Sequence, residues 1–303
     1  MSWRLVLLVW LLRHLQKPLL ARLDPVGARA QFEAVTSLFA APRGTYVGKG
    51  RLGGVPVRRV VGPGVADDPA APVLLYAHGG AFVLGSAKSY TGFAAQISTR
   101  LGRPVILPDY RRAPEHRFPA ALDDLRAVWD ALDADLGPER IVLGGDSAGG
   151  NLALGLLAQL CHLRIPGPAA TFAFSPFTDF RDRAGSRRRN ADADPLLPIG
   201  RLREVREFYL GDADPADARA SPVLARFRGA GPVWLSVGTT EVLHDDTLQM
   251  AARLREDGVR TRVLEGRNAP HVWPIFGDYL PEARTALDDL AAFLSSVSAE
   301  AGS

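Results

Sequence analysis

The sequence predicts an α/β protein built on one mostly parallel, right-handed, doubly wound sheet with helices on both faces. Two observations predict it. Short apolar runs bounded by Gly and Pro alternate with stretches whose apolar residues recur at helical spacing. Between one such run and the helical stretch after it lies Gly145-Asp146-Ser147-Ala148-Gly149, a tight turn carrying a serine. At 303 residues the chain suits a single large domain with a well-filled core.

The strand expectations are residues 73–77, 105–107, 141–143, 171–174, 233–237 and 262–264. Unbroken apolar runs of this length fit strands covered on both faces. Helical spacing places Ala121, Leu125, Val128, Trp129 and Leu132 on one face, and residues 149–163, 246–257 and 281–297 also read as helices. Two stretches break the alternation. Residues 1 to about 45 are helix-like and precede the first strand signals, and residues 178 to about 215 are rich in Arg, Asp and Pro. Both are expected to form a helical cap over one end of the sheet, because long insertions in compact domains are usually functional. Within the first, Trp3, Leu7, Trp10 and Leu11 form an apolar stripe that should cover the mouth of a site.

Composition excludes several classes. With 36 Lys+Arg against 33 Asp+Glu, the net charge of +3 gives no case for a nucleic-acid partner. The cluster Arg181, Arg183, Arg187, Arg188 and Arg189 lacks interleaved aromatics and reads as a solvated loop. Cys161 is the single cysteine, so no intrachain disulfide and no cysteine-pair zinc site can form, and a buried structural thiol is expected. No metal-ligand spacing and no phosphate-binding glycine loop occurs, so neither metal nor cofactor is expected. The apolar run 5–12 is too short to span a bilayer, and no small-residue cleavage site follows it. A packed amphipathic helix and a cytoplasmic protein are the expectation, with surface attachment to a membrane as the alternative. Stable membrane insertion is not expected, and self-association is left open.

The chemistry starts at the turn. In the Gly-Xaa-Ser-Xaa-Gly pattern the serine sits on a sharp strand-to-helix turn that lifts its hydroxyl clear of the sheet. Small residues two before and two after let the backbone turn that tightly. The run 141–143 before it and the helical run from Asn151 after it supply the right context for Ser147 as a nucleophile. His78-Gly79-Gly80-Ala81-Phe82 follows the run 73–77 and offers a glycine-rich turn with free backbone N–H groups. Such donors can stabilise the oxyanion formed when serine attacks a carbonyl, and Ala148, at the start of a helix, adds another. His78 itself should brace the turn through a hydrogen bond.

These motifs resemble the hormone-sensitive-lipase-like esterases of the α/β-hydrolase fold. The resemblance rests on His78-Gly79-Gly80, on Asp109-Tyr110-Arg111-Arg112-Ala113-Pro114-Glu115, and on Gly145-Asp146-Ser147-Ala148-Gly149-Gly150. Ser175-Pro176-Phe177-Thr178-Asp179 and His271-Val272-Trp273-Pro274 are similar too. It departs at Ala81, where the family has a third glycine, and at Arg112, where it has leucine. The resemblance implies oxyanion donors at the N–H groups of Gly80, Ala81 and Ala148, with Ala81 donating if its φ is negative. It also implies that Asp109, Tyr110 and Glu115 brace loops, and that N-terminal helices form part of the cap.

The chain order serine, acid, histidine then selects partners. Of the six histidines, His244 and His271 follow Ser147 on plausible loops; His271 follows the run 262–264 and matches the family's His-Val-Trp stretch, so it is the expected base. The resemblance places the acid at Glu241, with Asp246 second; Asp245 and Asp246 could instead cap the following helix. The expected activity is hydrolysis of short- to medium-chain acyl esters, the partner being a small-molecule ester. A lactone, amide or formamide substrate is the first rival, and a non-catalytic small-molecule receptor on the same fold is the second.

Overall fold

A computed structural model describes residues 1–22, 24, 26–36 and 39–301. The expected cap segment 1–45 therefore includes positions 23, 25, 37 and 38, which lie outside the described residues.

Eight strands form one sheet: β1 (Tyr46–Leu52), β2 (Val55–Val61), β3 (Val73–Ala77), β4 (Val105–Pro108), β5 (Ile141–Asp146), β6 (Ala170–Phe174), β7 (Val233–Gly238) and β8 (Thr261–Gly266). Their order across the sheet is β1-β2-β4-β3-β5-β6-β7-β8. Strand β2 runs antiparallel to both β1 and β4, and every other pairing is parallel. All six expected strands are present. The β1–β2 hairpin is an addition to that reading.

The helices are α1 (Trp3–Leu11), α2 (Lys17–Leu20), α3 (Ala28–Thr36), α4 (Thr91–Leu101), α5 (Ala120–Leu136), α6 (Ala148–Leu163), α7 (Ser186–Arg189), α8 (Gly200–Leu210), α9 (His244–Glu256) and α10 (Pro281–Ala301). A π-helical turn, Leu12–Gln16, joins α1 to α2. Successive residues of a strand face opposite ways, and β3 shows it. Val73, Leu75 and Ala77 join Leu122, Leu125 and Trp129 of α5 and Leu152 and Leu156 of α6 in one core. Leu74 and Tyr76 point the other way, into a core with Phe93 and Ile97 of α4 and Leu290 and Phe293 of α10. Two packed faces explain why the central strands are apolar throughout.

Two expectations are corrected. The Arg181–Arg189 cluster is not uniformly solvated: Arg187 is buried and ion-paired with Asp246 at 2.9 Å, and Arg181 is bonded to Asp179. Among the described residues the stripe Trp3, Leu7, Trp10 and Leu11 lies open to solvent instead of covering a site mouth, with Trp3 71% and Trp10 53% exposed. The side of α1 that packs is the one carrying Leu5, buried against Ala269, Trp273 and Leu280. Cys161 is half-buried, and burial pushes its thiol up to about 11.

Candidate active site

Strand β5 ends at Asp146, and Ser147 follows at φ 53°, ψ −117°, a strained conformation for a side-chain-bearing residue. The turn is held from both sides: Ser147 N donates to Phe174 O at 2.8 Å, and Ser147 O accepts from Asn151 N and Phe177 N. The flanking glycines are required by space. A Cβ at Gly149 would collide with the carbonyls of Ala77 and His78, and one at Gly145 with the carbonyl of Gly149. The pentapeptide spacing thus follows from the close approach of α6 to the end of β3.

Three expected residues converge above this turn. His271 Nε2 lies 2.9 Å from Ser147 Oγ, and His271 Nδ1 lies 2.7 Å from Glu241 Oε2. Glu241 is fully buried and His271 is 4% exposed. Burial works against the His271 cation, but the hydrogen bond and charge of Glu241 outweigh it and raise the imidazole above its ordinary value. The tautomer that suits both contacts carries its proton on Nδ1, which donates to Glu241, and leaves Nε2 to accept from Ser147 Oγ.

Asp246, the second candidate acid, lies elsewhere and does not cap a helix. Leu243 occupies the position before α9, and Asp246 sits inside its first turn, paired with Arg187 and accepting from Thr178 N at 3.0 Å. His244 is bonded to Glu265 at 2.7 Å.

The amides of Gly80, Ala81 and Ala148 donate to no protein acceptor among the described residues, which leaves them free for an oxyanion. Ala81 has φ 54° and Phe82 φ 62°, so the negative φ expected as the condition for donation is not met. That condition is unnecessary, since at this φ the Ala81 amide still has no acceptor among the described residues. The turn that carries Gly80 and Ala81 is pinned by buried hydrogen bonds. Gly79 N donates to Asp146 Oδ1 at 2.9 Å, and the Tyr76 and Tyr90 hydroxyls donate to the same carboxylate. Burial pushes the Asp146 carboxyl up to about 6 in spite of these donors. His78 Nδ1 donates to Gly79 O at 2.8 Å, and its ring stacks on Tyr110 at 4.2 Å. Burial lowers His78 to about 4, so it stands there neutral, as a brace. Glu115 accepts both terminal nitrogens of Arg29 on α3, whose Nε also reaches Val83 O. That pairing holds the Glu115 carboxyl down at about 2.

Several residues at this site were not assigned a role from sequence. Ser175 is fully buried; its Oγ donates to Glu241 Oε1 at 2.8 Å and accepts from Val272 N at 3.1 Å, so it bridges the acid and the histidine loop. The segment around α7 grips the acid loop. Asn190 Nδ2 donates to Glu241 O, Asp194 Oδ2 accepts from Val242 N, and Ser186 Oγ donates to Val242 O. Ser175 lies in a stretch already singled out by resemblance, but nothing local in the sequence announces contacts spanning 66 positions.

The comparisons bear on what such a site does. The sequence profile of the α/β hydrolase fold matches residues 74–275. The chain is 35% identical over 228 residues to an acetyl-hydrolase of Streptomyces hygroscopicus, covering 75% of this chain and 76% of that protein. It is 30% identical over 285 residues to an esterase of Acinetobacter venetianus, covering 93% of each. A solved esterase from the bacterial hormone-sensitive lipase family superposes with a TM-score of 0.90 at 32% identity, over 97% of this chain and 98% of that one.

Proposed function

The chain belongs to the α/β-hydrolase fold family, as a carboxylic-ester hydrolase of its bacterial hormone-sensitive-lipase branch, and from that premise we propose that Ser147, His271 and Glu241 are its catalytic triad, acting on short- to medium-chain acyl esters. The unbroken line of hydrogen bonds from Ser147 Oγ through His271 to Glu241 carries the reading.

His271 Nε2 takes the hydroxyl proton as Ser147 Oγ attacks the ester carbonyl. Glu241 stabilises the imidazolium and holds its orientation. The amides of Gly80, Ala81 and Ala148 receive the oxyanion. Collapse of the tetrahedral intermediate breaks the bond to the alcohol, which leaves with the proton from His271. Water, deprotonated by the same imidazole, then frees the acid from the acyl-enzyme.

The preference for shorter acyl groups rests on the aromatic wall behind the oxyanion turn. Phe82 stacks on Tyr209 of α8 at 3.7 Å, with Phe180 beside both, and all three are buried. Packed rings leave little length for a chain on that side. The acetyl-hydrolase named above supports the same preference. Segment 178–215 thus serves as the cap, through α8, while Arg29 of α3 braces the loops at 83 and 113–115.

Ser147→Ala should lower kcat by roughly 10⁵ to 10⁶ and abolish labelling by a fluorophosphonate, while the fold persists. Across acetyl to hexadecanoyl p-nitrophenyl esters, kcat/KM should peak at short or medium chains. Retained labelling sinks the nucleophile assignment, and a maximum at long chains sinks the proposed preference.

A further inference from the structure

Helix α1 leaves one apolar face uncovered. Leu5 is fully buried and Leu8 and Val9 are half-buried, but Trp3, Val6, Leu7, Trp10 and Leu15 are exposed. With Leu11, also exposed, the steps Trp3 to Val6, Trp3 to Leu7, Leu7 to Trp10, Leu7 to Leu11 and Leu11 to Leu15 are each of three or four residues and run along one side of α1 and the π-helical turn. A helix apolar on every side is normally wrapped by protein or by lipid. A contiguous open patch of this kind marks an interaction surface.

Charge says which surface it fits. Residues 1–22 contain Arg4, Arg13, Lys17 and Arg22 and no Asp or Glu. Among the described residues none of the four pairs with a carboxylate. Arg4 donates to Tyr279 O, Arg13 to Ala193 O, and Lys17 to the carbonyls of Ala191 and Asp194, all neutral acceptors, while Arg22 is exposed. None of these cations has an ion-pair partner among the described residues; Arg4 lies over the Trp3 ring, and the carboxylate at this end, Glu282, is bonded to Ser2 instead. Two copies of this chain meeting through the stripe would bring like charges together. An anionic surface would neutralise them.

We propose that this face of α1 is a docking surface for an anionic lipid bilayer. The helix lies in the plane of the interface, with Trp3 and Trp10 at headgroup level and the basic side chains reaching lipid phosphates. It does not cross: no described helix is long and apolar enough to span a membrane. Its buried side rests on the loop that bears His271, since Leu5 packs against Ala269 and Trp273, and Asn268 Nδ2 donates to Met1 Sδ. Docking therefore places the ester-binding site beside the lipid surface, where apolar esters concentrate. The proposal stands apart from the esterase reading, because binding is measured without substrate.

The five tryptophans give a direct readout. Trp129, Trp234 and Trp273 are almost completely buried, so a blue shift of emission on adding vesicles must come from Trp3 and Trp10. Vesicles of equal parts phosphatidylglycerol and phosphatidylcholine should sediment the full-length protein and shift its emission, and pure phosphatidylcholine should bind it at least tenfold more weakly. Trp3→Gln with Trp10→Gln should weaken binding by about tenfold per side chain. Arg4→Gln with Arg22→Gln should reduce the preference for anionic vesicles, and added salt should do the same. Acetyl-ester hydrolysis in vesicle-free buffer should be unchanged in all these variants. Absence of sedimentation with anionic vesicles overturns the proposal, as does binding that the tryptophan variants leave intact. A concentration-dependent dimer that those variants dissolve, with no vesicle binding, overturns it in favour of a second copy.

Discussion

The two segments outside the sheet's regular alternation are attached to the body by different chemistry. The segment around α7 is held by buried polar contacts: Arg187 with Asp246, Asn190 with Glu241 O, Asp194 with Val242 N, and Ser186 with both Val242 O and Asp245. Helix α1 is held mainly by one apolar side, centred on Leu5, with polar bonds at its N-terminal end from Ser2 to Glu282, Arg4 to Tyr279 O and Asn268 to Met1 Sδ. Buried polar bonds are directional and costly to leave unmade, so they can fix the acid loop in one geometry. Apolar contact is tolerant of small slides and leaves the helix's other face free for a different partner. The first segment is thus built into the acid's position. The second is placed next to the histidine loop, touching it through Leu5 and one bond, from Asn268 Nδ2 to Met1 Sδ, and shares none of the bonds made to Glu241 or Val242.

The sharpest test of the polar side is at its centre. Glu241→Gln keeps an oxygen for the donors Ser175 Oγ and Gly238 N but turns an NH₂ toward His271 Nδ1. That selects the wrong imidazole tautomer, and kcat should fall by roughly 10³ to 10⁴. Glu241 also holds the His271 pKa above its ordinary 6.5. In the proposed mechanism His271 acts as neutral imidazole, so the acid limb of kcat/KM should lie above 6.5 in the native protein and move to lower pH in the variant. The same raised pKa makes the charged pair a source of folded-state stability that is complete below about pH 6.5 and lost as pH rises through the folded value. An acid limb that stays in place would mean Glu241 does not set it.

Next in size is Asp246→Ala. It strands the buried Arg187 guanidinium, which keeps Asp182, the carbonyl of Asp179 and the face of the Phe177 ring. Denaturant unfolding should show a loss of about 3 kcal/mol. Asp246→Leu combined with Arg187→Met should recover most of it, because neither charge is then left unpaired. If the single variant instead costs under about 1 kcal/mol, the polar attachment is no stronger than a helix cap and the contrast with α1 fails.

Legibility in the sequence follows the same division. The central strands and the serine turn were readable because their signals are local: unbroken apolar runs, and glycines forced by close backbone approach at 145 and 149. The β1–β2 hairpin went unassigned because β1 is an exposed edge, with Lys49 and Arg51 among glycines and no apolar alternation. Its signal was the Gly53-Gly54 turn, both residues at positive φ, between the paired Leu52 and Val55. Helix α4 was missed for the opposite reason: its buried face includes Gly92, Ala94, Ala95 and Ser98, small residues that give a weak apolar rhythm. Ser175, Asn190 and Asp194 could not be read at all as partners of the acid, since each contact joins residues dozens of positions apart and any polar side chain on a loop has a solvated alternative. The stripe on α1 was visible as a pattern, but periodicity only separates one face of a helix from another. It does not say which face the fold will bury, and here α1 is apolar enough on both sides that packing chose Leu5.

The smallest expected effect belongs to that open face. Trp3→Gln and Trp10→Gln, in lipid-free buffer, should each change unfolding free energy by no more than about 0.5 kcal/mol, because exposed side chains away from a packed contact contribute little. Leu5→Ala, two residues from Trp3, should cost about 2–4 kcal/mol, since it empties a fully buried site among Ala269, Trp273 and Leu280. The pair of measurements separates the faces of one helix by their energetics. If α1 instead covered the mouth of the ester site, the tryptophan variants would raise KM for hexanoyl esters more than for acetyl esters, as removal of an apolar wall must. The exposure of Trp3 and Trp10 predicts no such change: the ratio of the two kcat/KM values should stay within about twofold of the native protein, a difference of under half a kcal/mol in transition-state binding. A selective loss on the longer ester would show that the stripe folds over bound substrate, and the division between a polar segment that serves the chemistry and an apolar one that serves another surface would then have to be redrawn.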